Sequence, residues 1–145
     1  MNIVTDMTIN TRRKYFVNIF VFVIFLLLVI PVFAKIDNES IVDVSVPKLS
    51  EDEIKGEDLY NQYCISCHGL NASGKKGKGP PLIHKIYKPN HHSDMSFVSA
   101  IRYGVKSHHW PFGDMKPIPQ ITDKEAYKII KYLRKLQRYN NIYVE

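Results

Sequence analysis

The chain has 145 residues, a length that suits one domain and leaves little room for a second. Its formal net charge is +6; setting aside Arg12, Arg13, Lys14 and Asp6 leaves 17 basic and 13 acidic groups in residues 35–145, a mild +4 that gives nucleic-acid binding little electrostatic support. The two cysteines, Cys64 and Cys67, are too few and too close together for the disulfide framework of a small secreted domain, so they read as chemical rather than structural.

At the N-terminus, Arg12-Arg13-Lys14 precede an apolar run over 15–30 that closes with Pro31-Val-Phe-Ala34. A basic start, an apolar stretch and small residues at the end match a secretory signal peptide over 1–34. Residues 15–34 are also long enough for an uncleaved membrane anchor, since a hydrocarbon core of ~30 Å takes about 20 apolar residues. Both readings put the basic end inside and residues 35–145 on the periplasmic side. Residues 35–49 lack apolar periodicity, contain Pro47 and are expected to be a linker, so the folded domain is expected over 50–145.

Ser50-Glu-Asp-Glu53 is a capping-box sequence, and Ile54, Leu59, Tyr60 and Tyr63 then recur at helical spacing up to Cys64. From Gly69 to Pro89 the chain is rich in Gly, Lys and Pro and is expected to be loop. A short helix is expected from about Ser93-Asp94 to Tyr103, stopped by Gly104. Pro111, Pro117 and Pro119 exclude regular helix over 105–121. Thr122-Asp-Lys-Glu125 is a second capping box, and Ala126, Ile129, Ile130, Leu133 and Leu136 mark the apolar face of a last helix reaching about Tyr139. No convincing strand pair or repeat is present, so the class is all-α.

Cys64-Ile-Ser-Cys67-His68 is C-x-x-C-H, the pattern of c-type haem attachment. Two thiols three residues apart on one turn can each add to a haem vinyl group, and the next residue brings an imidazole under the iron. A zinc site would ask for a second ligand pair, which is missing. A thioredoxin-like dithiol would open a helix within a βαβ unit, whereas this motif ends a helix in a chain without strands.

The surroundings of the motif resemble the class I cytochromes c over roughly residues 50–139. Gly56 and Tyr60 precede Cys64 by eight and four residues, Ile129-Ile-Lys-Tyr132 resembles the aliphatic-x-x-Tyr pair of the family's last helix, and Gly79-Pro80-Pro81-Leu82 resembles its Gly-Pro-x-Leu. The resemblance implies a cytochrome c fold: three to five helices wrapped around one covalently bound haem c, with the N- and C-terminal helices crossing closely at Gly56. It also implies that the Pro80 carbonyl accepts from Nδ1–H of the proximal His68, fixing its tautomer and raising its basicity.

The family completes the iron with a Met sulfur on a proline-containing loop before the last helix. Met115, in Gly113-Asp-Met-Lys-Pro-Ile-Pro119, stands there and is the expected distal ligand; Met95, early in the short helix, is expected to fill the core. Trp110 stands five residues before Met115, as in several small bacterial cytochromes, and that resemblance implies a place at the haem edge, donating to a propionate; a lone Trp is otherwise a core residue. The remaining histidines, His84, His91, His92, His108 and His109, offer bis-His ligation, propionate contacts or a peripheral metal site as alternatives to solvated loop residues. Lys116, where many relatives have Pro, and the His-rich stretch over 84–109 depart from the family pattern.

His/Met ligation leaves no open position on the iron and implies a carrier of single electrons rather than an enzyme, with a protein donor and a protein acceptor as partners. Lys75, Lys76, Lys78 and Lys116 are placed to steer acidic partners or simply to solvate a loop. A haem subunit of a larger periplasmic dehydrogenase or oxidase, and a ligand-binding sensor or weak peroxidase, are the competing function classes.

Overall fold

A computed structural model describes residues 39–144, together with residues 14, 18–22 and 24, which are helical and exposed. The chain divides into two units, Met1–Asn38 and Glu39–Glu145. The expected signal peptide or anchor falls mostly outside the described residues, among which no helix is long and apolar enough to cross a membrane.

The second unit is built on four helices: α1 (Glu51–Tyr63), α2 (Ile65–His68), α3 (Asp94–Tyr103) and α4 (Asp123–Tyr139). Single 3-10 turns at Leu70–Ala72 and Lys85–Tyr87 punctuate the long loop. Pairing between extended segments is limited, among the described residues, to isolated antiparallel bridges at Lys75–Gly79 and Val105–Met115. The all-α expectation therefore stands.

Helix starts follow local chemistry. Ser50 and Thr122 both close capping boxes, accepting from the backbone N–H of Glu53 and Glu125, whose carboxylates accept in return. Ser93 caps α3 by accepting from Ser96 N. Gly104 ends α3 at φ 75°, a left-handed conformation that favours glycine.

The domain turns on the crossing of α1 and α4. Glu53, Gly56 and Tyr60 are the buried residues of α1. Against them α4 presents Ile129, Tyr132, Leu133 and Leu136, all nearly inaccessible to solvent. Gly56 is where the backbones meet: a Cβ there would lie 2.1 Å from the Lys128 carbonyl oxygen and 3.0 Å from Tyr132 Cβ. The Tyr60 and Tyr132 rings pack at 5.7 Å between centroids, tilted by 52°. The Tyr60 hydroxyl, pushed far above its ordinary pKa by burial, stays protonated and donates to the Gly69 carbonyl at 2.6 Å. That bond ties the helix crossing to the residue directly after the C-x-x-C-H motif.

Residues 39–49 are not the free tether expected of a linker. Ile41 and Val42 both donate from their backbones to the Ser73 carbonyl at 3.1 Å, and Lys76 N donates to Glu39 O at 2.9 Å. Ser45 exchanges two bonds with the Asn140 amide, at 2.9 and 2.8 Å. Val44 and Leu49 pack against the core. An extended strap docked on loops shows no helical period, which is why its apolar residues looked unpatterned.

At the far side of α4, Arg134 and Gln137 are buried polar residues with a shared task. Arg134 donates to Asp94 Oδ1 at 2.7 Å, to Tyr87 O at 2.8 Å, to Gln137 Oε1 at 2.6 Å, and to His92 O. Gln137 donates to Leu82 O at 2.9 Å and to Tyr87 O at 3.2 Å. A buried guanidinium is tolerated only when its donors are satisfied, and these satisfy the carbonyls of an irregular loop in return.

Candidate haem site

Between α1, α3, α4 and the loop over 104–118 lies a cavity of about 910 Å³, lined by the motif residues Cys64, Cys67 and His68 and by apolar side chains including Phe97, Ile101, Ile118 and Leu133. That volume is at the upper end of the ~300–1,000 Å³ usual for small-molecule and cofactor sites.

The motif sits where α1 gives way to the single turn of α2, with Cys64 at the junction. Cys64 is buried and Cys67 exposed. Burial, aided by the neighbouring Cys67, pushes the Cys64 thiol up to about 12. His68 Nδ1 lies 2.9 Å from the Pro80 carbonyl oxygen. A carbonyl can only accept, so Nδ1 carries the proton and Nε2 presents its lone pair. Burial lowers the His68 pKa, partly offset by that bond. The loop comes in close here: a Cβ on Gly79 would sit 2.6 Å from Cys67 O, so glycine is what lets the Pro80 carbonyl reach the ring.

Met115 also lines the cavity, on a loop whose backbone is pinned from several directions. It exchanges both bridge bonds with Val105, at 3.0 and 2.9 Å, and Ile118 N donates to Ile101 O at 2.8 Å. Asp114 accepts from Ser107 N at 2.9 Å and from Lys106 Nζ at 2.6 Å. Gly104 abuts the same segment, where a Cβ would meet Met115 O at 2.4 Å. Met95 lines the cavity as well, from the first turn of α3, but is 57% exposed.

Trp110 stacks on Phe112 at 6.0 Å and meets the edge of His84 at 5.2 Å. Its indole Nε1–H is buried without a hydrogen-bond partner among the described residues. An orphaned donor costs ~1–3 kcal/mol, so a site built around it wants an acceptor there. Haem fits this donor set: two thiols and a tautomer-fixed imidazole, methionines on the lining, apolar sides, and one donor suited to a propionate.

Of the expected steering lysines, Lys75 is paired with Glu39 at 2.9 Å, whereas Lys78 and Lys116 line the cavity. His84 and His91 lie off the cavity lining; His92, His108 and His109 are on it. Sequence reading did not single out Phe97, Phe112 and Ile118 as lining residues, nor Arg134 and Gln137 as the support beneath. The helical period could have flagged Phe97 alone, because the others stand in irregular segments or are polar on an apolar helix face.

The family model for cytochrome c matches residues 53–137, more than half of the chain. Among curated proteins, the chain is similar to the cytochrome bc1 complex cytochrome c subunit of Corynebacterium diphtheriae, 44% identical over 45 residues that make up 28% of this chain and 16% of that relative. It is also similar to the subunit of the same description from Corynebacterium efficiens, 52% identical over 29 residues, or 20% of this chain and 10% of the relative. The matched stretches thus span at most about a sixth of those relatives' length. With the family match lying over the same helices that enclose the cavity, the chain belongs to the cytochrome c family, whose cofactor is covalently bound haem c.

Proposed function

We propose that the chain is a mono-haem electron carrier, with thioethers to Cys64 and Cys67, His68 as proximal ligand and Met115 as distal ligand. The observation that carries this reading is that one cavity gathers both cysteines, His68 and Met115. Haem bound there supplies an Fe(III)/Fe(II) couple that moves one electron at a time.

The protein's part is positional. The Pro80 carbonyl holds the proton on His68 Nδ1, so the nitrogen offered to iron is Nε2. Met115 contributes a soft sulfur that favours the reduced state, and the apolar walls exclude water with the same effect. Trp110 offers its unpartnered N–H to a propionate and so sets the orientation of the ring. If His68 and Met115 both hold the iron, no position would be left for substrate, which separates this reading from a sensor or peroxidase. The test is carbon monoxide added to the reduced protein at neutral pH: an unchanged spectrum, with a one-electron redox titration, is the expected result. Rapid stoichiometric binding would mean an open iron and would overturn the carrier reading.

The similarity to bc1 complex subunits favours a narrower second reading, in which the domain docks within or against such a membrane redox complex. Its side of the membrane is the periplasmic one, set by Arg12-Arg13-Lys14 ahead of the apolar run over 15–34, whether that run is a cleaved leader or an anchor. Lys78 and Lys116 then supply the positive rim at the haem edge. Lys78→Glu with Lys116→Glu should slow electron exchange with an acidic redox protein by about tenfold at low salt, and by little at ~1 M salt where the Debye length is ~3 Å. Equal rates for variant and wild type at low salt would remove these lysines from the docking face.

A further inference from the structure

Four histidines from two loops meet beside the mouth of the cavity, although the sequence separates them into distant pairs. The rings of His91 and His92 lie 4.8 Å apart, His91 and His109 5.4 Å, and His92 and His109 5.3 Å. His108 adjoins them, with its ring 4.2 Å from that of His109. One ligand nitrogen from each of His91, His92 and His109 falls within 4.8 Å of the other two.

We propose that His91, His92 and His109 form a binding site for one divalent transition-metal ion, distinct from the haem iron. Metal–imidazole bonds are ~2.0–2.1 Å, so nitrogens sharing an ion lie at most about 4.2 Å apart. Closing the observed spread takes only small side-chain rotations, and His91 and His109 are exposed and free to make them.

His92 is the fixed member. Its Nδ1–H donates to the Ile86 carbonyl at 2.8 Å, which leaves Nε2 as the ligand atom in the way metal-binding histidines are usually oriented. Its backbone is held from below: Arg134 donates to His92 O and to Tyr87 O, so the loop carrying the first pair is braced on α4. The loop carrying His109 is braced by Asp114, which binds Ser107 N and Lys106 Nζ. His108 Nδ1–H donates to Lys106 O at 2.8 Å, keeping its own Nε2 available next to the triad.

The donor set selects the ion. Asp94 is engaged by Arg134 and Asp114 by Lys106, so these nearby carboxylates are already paired. Three imidazoles without oxygen ligands suit Cu²⁺, Zn²⁺ or Ni²⁺ and not Ca²⁺ or Mg²⁺, and the usual affinity order puts Cu²⁺ first. The rival use of the same rings is to donate to a haem propionate, since His92 and His109 also line the cavity. The site rests on side-chain placement alone and does not depend on Met115 being the distal ligand.

The experiment is equilibrium dialysis of the untagged holocytochrome against Zn²⁺, chosen because it is redox-inert, and then against Cu²⁺, with bound metal counted by atomic emission. One ion per chain is expected, bound more tightly for Cu²⁺. His91→Ala and His109→Ala should each weaken binding by about tenfold or more, since even outer-shell changes at metal sites cost ~10–100-fold. His91 is exposed and lies off the cavity lining, so an unchanged haem spectrum in His91→Ala checks that the domain is intact. Substoichiometric uptake, or affinity unchanged in both variants, would overturn the proposal. So would variants that bind no less metal but shift the haem reduction potential, which would assign the rings to a propionate.

Discussion

Met115→Ala should abolish the far-red sulfur-to-iron charge-transfer band of the oxidised protein and lower its reduction potential by on the order of 0.1 V, within the ~0.8 V range that axial ligation commands. The reason is local. Removing the thioether takes away the soft ligand that favours Fe(II), while the fold around it is kept, because Met115 holds its loop through backbone bonds to Val105 that alanine makes equally well. Asp114 and Ile118 keep the flanking residues in place as before. The reduced variant should also gain carbon monoxide binding, the property the wild type is expected to lack. Met95→Ala is the necessary companion, since Met95 lines the same cavity. At 57% exposure on the first turn of α3, Met95 is expected to leave the band untouched when it is replaced. Spectra of the two variants side by side decide the ligand. A band that survives in Met115→Ala and vanishes in Met95→Ala would transfer the role to Met95, and one that survives both would point to another sulfur-independent origin.

Gly56→Ala should destabilise the holoprotein by about 2–3 kcal/mol, even though alanine is the better helix former. In an unobstructed helix the same change would stabilise by ~1 kcal/mol. Here the added Cβ would stand 2.1 Å from the Lys128 carbonyl oxygen, a backbone atom inside α4 that cannot swing aside as a flexible side chain would. The helices would have to part by roughly 1 Å, and overpacking of that kind costs ~1–3 kcal/mol and occasionally more. The consequences spread along both faces. Tyr60 and Tyr132 would lose their contact, and Ile129 and Leu133, which also line the cavity, would move with α4. For a domain near 100 residues the loss corresponds to a fall in Tm of ~10 °C or more. Thermal or guanidinium unfolding followed by haem absorbance measures it, with Lys55→Ala, exposed on the same helix, expected to change stability by less than ~0.5 kcal/mol. A Gly56→Ala protein as stable as the wild type would mean that α1 and α4 cross less closely than described.

Features that depend on neighbours a few residues apart were legible in the amino-acid order. Ser50, Ser93 and Thr122 announced three helix starts because a cap is a bond between a side chain and a backbone N–H three residues on. The C-x-x-C-H motif announced haem c because its chemistry is confined to one turn. Gly56 and Pro80 were legible only through resemblance to a family, since their partners, Lys128 and His68, lie far off or around a glycine-rich loop that no periodicity describes.

The remaining features come from contacts between segments far apart in the chain. The strap over 39–49 is held by backbone bonds to Ser73 and by Asn140, interactions that leave no pattern in the strap's own residues. Arg134 and Gln137 are polar positions on an amphipathic helix, and only the carbonyls of Leu82, Tyr87 and His92 that lie against them give them a role. The meeting of His91 and His92 with His109 depends on two irregular loops, each braced by a different ion pair. Such contacts arise from how loops close over a core, and loop closure is set by the packed helices rather than by any local preference in the loop.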